Sequence, residues 1–365
     1  MIMLSRTRQV FLRTFRVYVA DSQRISQFSG GGTSLIYEEY GDPLKVVKQI
    51  DTVIPQQLKD DQVLIRMLAA PVNPADINTI QGVYPVKTKP PCVPGNEGVG
   101  EILDVGNKVR SELQPGDYVI PRSTAFGTWR THALATPSEL IKIPSDIDLA
   151  TAATIAVNPG TAYRMLKDFV PLTSGDTVIQ NGANSAVGQA VIQIAAALGL
   201  KTVNVVRDRP SINELKQFLT KLGATVVLTE SELRKSEEIK ALPPPSLALN
   251  CVGGRSSTEL LRQLAPEGVM VTYGGMSRQP IAVPTGALIF TDVKLFGFWM
   301  TRWNSNHLNH PERHQMLDEL FQLARNGELK PPDHTLVPFS SFHVALENAM
   351  PSEGMLGKKQ ILIFK

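Results

Sequence analysis

Residues 178–209 read VIQNGANSAVGQAVIQIAAALGLKTVNVVRDR, and this stretch decides the fold. Val178 to Gln180 is a short run suited to a buried parallel strand. Asn181 and Gly182 break it. Val187, Val191, Ile194, Ala195 and Leu198 then recur at helical spacing, and Gly199 stops the helix. Thr202 to Val206 is a second β-branched run. The whole is one strand–helix–strand unit of about thirty residues, the size a right-handed crossover needs.

The first turn of such a helix offers free N–H groups and the positive end of the helix dipole to a pyrophosphate. Dinucleotide folds mark this turn with G-x-G-x-x-G. Here the aligned residues are Ala183, Asn184, Ser185, Ala186, Val187 and Gly188, so only the third glycine is kept. Taken alone, the match is also compatible with an ordinary turn. The end of the second strand adds to it. An acidic residue there would hold the ribose 2′-hydroxyl of NAD. This chain has Arg207, Asp208 and Arg209, with Arg207 nineteen residues beyond Gly188. Two guanidiniums suit a 2′-phosphate, so the expected cofactor is NADPH. Asp208 would repel that phosphate unless it turns away.

Outward from this unit, strands are expected at 177–180, 202–206, 225–228, 246–251, 268–273 and 293–298. Helices are expected near 187–198, 211–222 and 256–264. Six parallel strands with helical crossovers form a Rossmann sheet, doubly wound and of the α/β class. Residues 34–121 instead show short strands broken by Gly and Pro turns: Ser34–Val47, Gln62–Leu68, Val99–Val105 and the segment ending at Pro121. That pattern predicts an all-β domain. Alanine-rich helices begin near Leu149, and the chain closes with a helix over 314–326 and a strand over Lys359–Phe364.

The net charge of +3 is carried by the N-terminus. Residues 1–29 hold Arg6, Arg8, Arg13, Arg16 and Arg24 against Asp21, a net +4, which leaves −1 for the remainder. A body near neutrality argues against a nucleic-acid partner. The arginine-rich, acid-poor start, with Leu4, Phe11, Phe15 and Tyr18 able to share one helical face, predicts a mitochondrial transit peptide over 1–30 and a matrix location. No apolar run approaches the roughly twenty residues a membrane span needs. Two cysteines, Cys92 and Cys251, supply neither a disulfide framework nor a Cys-rich zinc site. His310 and His314 lie in the order H-P-E-R-H, which is not the zinc-protease spacing and reads as a polar helix start.

With these features in place, the chain resembles the zinc-independent branch of the medium-chain dehydrogenase/reductase superfamily. Within it, the chain is similar to the animal-type trans-2-enoyl-thioester reductases. The likeness is carried by LAAPVNPADINTIQGVYP (68–85), PGNEGVGEI (94–102), GTWRTHA (127–133), NPGTAYRML (158–166), VVRDRP (205–210), VTYGGMSRQP (271–280) and GFWMT (297–301). It implies a GroES-like catalytic domain over 31–157 and 305–365, and a Rossmann NADPH-binding domain over 158–304. It also implies a homodimer. Where zinc-dependent relatives place Cys and His ligands, this chain has Asn73 and Asn96, and asparagine is a poor ligand for catalytic zinc.

The implied reaction is NADPH-dependent reduction of trans-2-enoyl thioesters, bound to acyl carrier protein or CoA. It would be the last step of the mitochondrial fatty acid synthesis cycle. Hydride goes to C3, charge develops on the thioester oxygen, and C2 takes a proton. The resemblance makes Tyr84 the proton donor, since a phenol keeps its proton at neutral pH, with Asn73 orienting it or the substrate. It assigns the cofactor to Asn158, Asn184, Ser185, Ala186, Val187, Arg207, Asp208, Arg209, Tyr273, Gly274, Gly275, Met276, Phe298, Trp299, Met300, Thr301 and Lys359. Arg302, Arg313 and Lys330 are candidate contacts for an acidic carrier protein. The alternatives are a quinone oxidoreductase of the same fold and a catalytically idle protein that keeps the fold and binds nucleic acid or a regulatory partner.

Overall fold

A computed structural model describes residues 30–350 and 357–364; the proposed transit peptide lies outside them. The chain opens on an antiparallel hairpin, β1 (Gly30–Tyr37) and β2 (Val47–Ile54), with Gly30 opposite Ile54 and Tyr37 opposite Val47. The sequence reading saw its first strand and turn but not its second strand. β2 is exposed at most positions and so lacks an apolar rhythm.

Five strands follow: β3 (Val63–Pro71), β4 (Val99–Val105), β5 (Tyr118–Pro121), β6 (His132–Ala135) and β7 (Leu140–Ile143). A six-stranded parallel sheet comes next, from β8 (Thr177–Asn181), β9 (Lys201–Val206), β10 (Val226–Thr229), β11 (Leu247–Asn250), β12 (Val269–Thr272) and β13 (Lys294–Gly297). Its order is β10-β9-β8-β11-β12-β13, with the reversal between β8 and β11. The last strands, β14 (His334–Pro338) and β15 (Lys359–Ile363), return to the first sheet in the order β14-β15-β3-β4-β5-β7, with β6 also on β3.

Period-two alternation builds the parallel sheet's two cores. Val178, Leu247, Leu249, Val269 and Val271 point to one face, where they meet Ala162, Val191 and Ile194. Ile179, Val203, Val205, Ala248 and Met270 point to the other and meet Leu260 and Leu261. Both faces are covered, so the strands read as continuous apolar runs rather than alternating ones. Each such side chain contributes about 1.5–3 kcal/mol relative to exposure. The first cluster also takes in Ala69, Val99 and Ile120 from the first sheet and Met316 and Phe321 from the helix Pro311–Arg325. One continuous core therefore joins the two sheets.

Candidate active site

The turn after β8 puts two glycines to different uses. Gly182 sits at φ +59°, and a Cβ there would lie 2.5 Å from Cys251 Sγ. Neither constraint admits another residue easily. This explains a glycine at that place. Gly188 lies in the first turn of the helix Ala186–Ala197; a Cβ there would meet the Ala183 carbonyl oxygen at 2.5 Å and its Cα at 2.6 Å. Helix and strand thus pack backbone to backbone at the one position of the fingerprint that is kept. Ser185 caps the helix, its hydroxyl accepting from the Gly188 N–H at 3.1 Å. Asn184, Ser185, Ala186 and Val187 form this helix entry, all partly exposed.

At the end of β9, Val206 is buried and Arg207 is exposed. The Asp208 carboxylate accepts from the Arg209 backbone N–H at 2.9 Å. Arg209 Nε reaches the Arg207 carbonyl at 3.4 Å, and neither guanidinium is ion-paired among the described residues. Partial burial and the charge of Arg207 lower the Arg209 pKa. Two unpaired cations side by side suit a doubly charged anion.

The loops after β12 and β13 reach the same carboxyl edge of the sheet. Tyr273 leaves β12 with its N–H on the Asn250 carbonyl, and its hydroxyl is buried without a hydrogen-bond partner. Burial and nearby Cys251 hold that phenol well above its usual pKa. Gly274 passes close over Cys251, Gly275 is open on its Cβ side, and Met276 is bonded through its N–H to Cys251. Phe298 follows β13 and meets Phe169 edge-on at 6.1 Å. Trp299 caps the helix Met300–Asn306, in which Met300 is buried and Thr301 half-buried.

Asn158 opens the helix Asn158–Asp168, and its Nδ2 is buried without a partner. A buried amide left unpaired is costly unless something else accepts its hydrogens. With the glycine-backed helix entry and the unpaired arginines, it fits a nicotinamide dinucleotide bearing a 2′-phosphate.

Tyr84 lies on the loop after the helix Pro74–Ile80, held by its N–H on the Asn78 carbonyl at 3.1 Å. Its hydroxyl accepts from the Trp299 indole N–H at 2.8 Å, and the rings meet edge to face at 6.0 Å. The expected proton donor is therefore tied to Trp299, two residues beyond the sixth parallel strand.

Asn73, Asn96 and Lys359 belong to one buried network that the sequence reading saw only in part. Asn73 Nδ2 donates to Glu97 at 3.0 Å, and Lys359 Nζ donates to Asn73 Oδ1 and, at 3.4 Å, to the Val72 carbonyl. Asp76 accepts from the Asn73 N–H at 2.8 Å, from the Asn96 N–H at 3.0 Å and from Asn96 Nδ2 at 2.6 Å. Glu97 accepts from the Val157 N–H at 2.7 Å. Burial outweighs these bonds and raises Asp76 to about 6 and Glu97 to about 7. Burial also lowers Lys359, against the pull of both carboxylates. Asp76 and Glu97 were not singled out from sequence. The available signal was the N-x-x-D spacing of Asn73 and Asp76, which is a capping box.

Two surface expectations need comment. Arg313 is 3% exposed and bonded to the Arg122 carbonyl, so it cannot meet a carrier protein; Arg302 and Lys330 are exposed. His310 caps the helix Pro311–Arg325, as the polar helix start required. Ligand atoms of His307, His310 and Glu312 lie within 4.8 Å of one another, but the Nδ1 atoms of both histidines are already bonded, to the Trp303 carbonyl and the Glu312 N–H.

Comparison with known proteins settles the family. Residues 59–145 match the alcohol dehydrogenase GroES-like domain, and residues 186–321 match the zinc-binding dehydrogenase domain. The mouse protein "Enoyl-[acyl-carrier-protein] reductase, mitochondrial" is 53% identical over 332 residues, covering 90% of this chain and 88% of its own. Its human counterpart is 51% identical with the same coverage. The chain belongs to the mitochondrial enoyl-[acyl-carrier-protein] reductase family. Among solved structures, the Etr1p/NADP/crotonyl-CoA complex superposes with a TM-score of 0.85 at 35% identity, covering 92% of this reductase-family chain and all of that one. An Etr1p/Etr2p heterodimer from Candida tropicalis superposes at 0.83 with the same identity.

Proposed function

We propose that the protein reduces trans-2-enoyl thioesters to saturated acyl thioesters with NADPH, in mitochondria, as the last step of a fatty acid synthesis cycle. The observation that carries this reading is the Trp299–Tyr84 hydrogen bond, which fixes a phenol at the cofactor edge of the parallel sheet. Gly188, Ser185 and their neighbours back the pyrophosphate, Arg207 and Arg209 hold the 2′-phosphate, and the Asn158 amide meets the carboxamide. Bound NADPH supplies the hydride. Tyr84 Oη holds the proton that C2 receives, and the indole N–H on that oxygen eases loss of the proton by stabilising the phenolate that remains. Asn73 acts through the helix it caps, whose Asn78 carbonyl holds the Tyr84 N–H, and Lys359 acts through Asn73.

The domain division is 31–157 with 305–365, around 158–304. The unit is a homodimer. β13 is an edge strand with Leu295 and Phe296 exposed, and Leu288, Ile289 and Phe290 precede it, the last 84% exposed. An open apolar edge of this kind is covered in a stable protein. An acidic carrier protein would meet Arg302, whose guanidinium lies over the Trp299 ring at 5.5 Å. Loss of NADPH absorbance on addition of a trans-2-enoyl thioester tests the reading. Turnover of quinones alone would replace it.

A further inference from the structure

We propose that Glu97 is a positioning residue that sets the spacing between Asn158 and the support of Tyr84. Its two carboxylate oxygens have different partners on two separate segments of the chain. One accepts from the Val157 N–H at 2.7 Å, the residue immediately before Asn158. The other accepts from Asn73 Nδ2 at 3.0 Å. Asn73 caps the helix Pro74–Ile80, and the Asn78 carbonyl of that helix receives the N–H groups of Val83 and Tyr84 at 3.0 and 3.1 Å. Three hydrogen bonds and one short helix therefore join the amide that meets the nicotinamide to the phenol that supplies the proton.

The local backbone explains why a tether is needed there. The helix Leu149–Thr154 ends, the chain turns through Ile155 and Ala156, and the next helix starts at Asn158. Val157 is the N-cap residue of that helix, and its backbone N–H donates to Glu97. Lys359, from the returning β15, supplies a cation to Asn73 Oδ1 and so fixes which way that amide points. With its oxygen on the ammonium, its nitrogen must face Glu97.

A charged group this deep is a poor device for stability, since burial costs what the bonds return. It is a good device for geometry, because a carboxylate accepts two differently directed bonds at once. Glu97→Gln keeps the volume and one acceptor but presents an amide to a second donor. Glu97→Ala leaves both donors unpaired.

This rests on the NADPH-dependent reduction proposed above. The test compares wild type, Glu97→Gln and Glu97→Ala for kcat, KM of the enoyl thioester, the isotope effect with NADPH deuterated at the transferred hydride, NADPH binding by fluorescence, and thermal unfolding. Misplacing the reacting partners should lower kcat about tenfold to a hundredfold in Glu97→Ala and less in Glu97→Gln. The isotope effect should rise, KM for the thioester should stay within about threefold, and NADPH binding should weaken. Wild-type kcat, isotope effect and NADPH binding in folded Glu97→Ala would overturn the assignment. So would losses that follow only the folded fraction. If Glu97→Ala does not fold, Glu97→Gln decides by the same criteria. A wild-type protein that ignores enoyl thioesters would overturn the reaction, and NADPH titration of the variants would then decide Glu97 alone.

Discussion

The Trp299 indole N–H donates to Tyr84 Oη at 2.8 Å, joining residues 215 positions apart. A donor on that oxygen leaves the phenol's own hydrogen free for substrate and stabilises the phenolate formed when it leaves. Tyr84→Phe should lower kcat about 100-fold or more, with the melting temperature nearly unchanged. Trp299→Phe keeps the ring contact and removes only the donor, so its loss should be smaller, about tenfold. Steady-state kinetics with an enoyl thioester checks both; full activity in Tyr84→Phe removes the acid assignment.

Cofactor choice should follow the end of β9. Arg207→Ala with Arg209→Ala should raise KM for NADPH by about tenfold to a hundredfold, the worth of charge-assisted bonds. KM for NADH should change far less. Parallel titrations with the two nucleotides report the difference. Equal changes would place the 2′-phosphate elsewhere.

Gly188→Ala should damage fold and cofactor site together. The new methyl would meet backbone atoms of Ala183 at 2.5–2.7 Å, and backbone cannot step aside as a side-chain tip can. The expected cost is about 1–3 kcal/mol of stability, with weaker NADPH binding because the helix entry moves. Thermal melts with and without NADPH measure both; a variant that melts and binds like wild type contradicts the packing argument.

Stability should fall as pH rises through the titration of the buried carboxylates. Asp76 and Glu97 titrate at about 6 and about 7 in the folded protein, against about 4 in an unfolded chain. The folded state therefore binds more protons across this window. Stability is fully present below about pH 4 for these two groups and is lost as pH rises toward 7. The slope should be on the order of 1 kcal/mol per pH unit for each group that titrates. Glu97→Gln should flatten its share between about pH 4 and 7. Denaturant melts across that range test it; an unchanged slope in the variant would contradict the burial of a titrating Glu97.

Much of this was legible in the chain because it depends on local pattern. All six parallel strands lie where short apolar runs put them; five are buried, and the exposed edge strand β13 was still marked by Leu295 and Phe296. The helix entry was legible at Gly188 and not at Gly182, because the second glycine answers to Cys251, a contact 69 residues away in sequence. β2 and the short β14 were missed since both are largely exposed and carry no alternation to read. Arg313 looked like a surface charge because sequence does not show a guanidinium folding under a neighbouring carbonyl. Asp76 and Glu97 were hidden for a related reason. A carboxylate next to a polar turn looks solvated until the fold closes Lys359 and Val157 over it.

The reaction itself is open to a single assay. NADPH consumption is followed with trans-2-enoyl thioesters of increasing chain length, beside NADH and a quinone under the same conditions. Rapid NADPH-dependent turnover of enoyl thioesters is expected, with much slower turnover with NADH and a saturated acyl thioester as product. No turnover at any chain length, or turnover of the quinone alone, would contradict it.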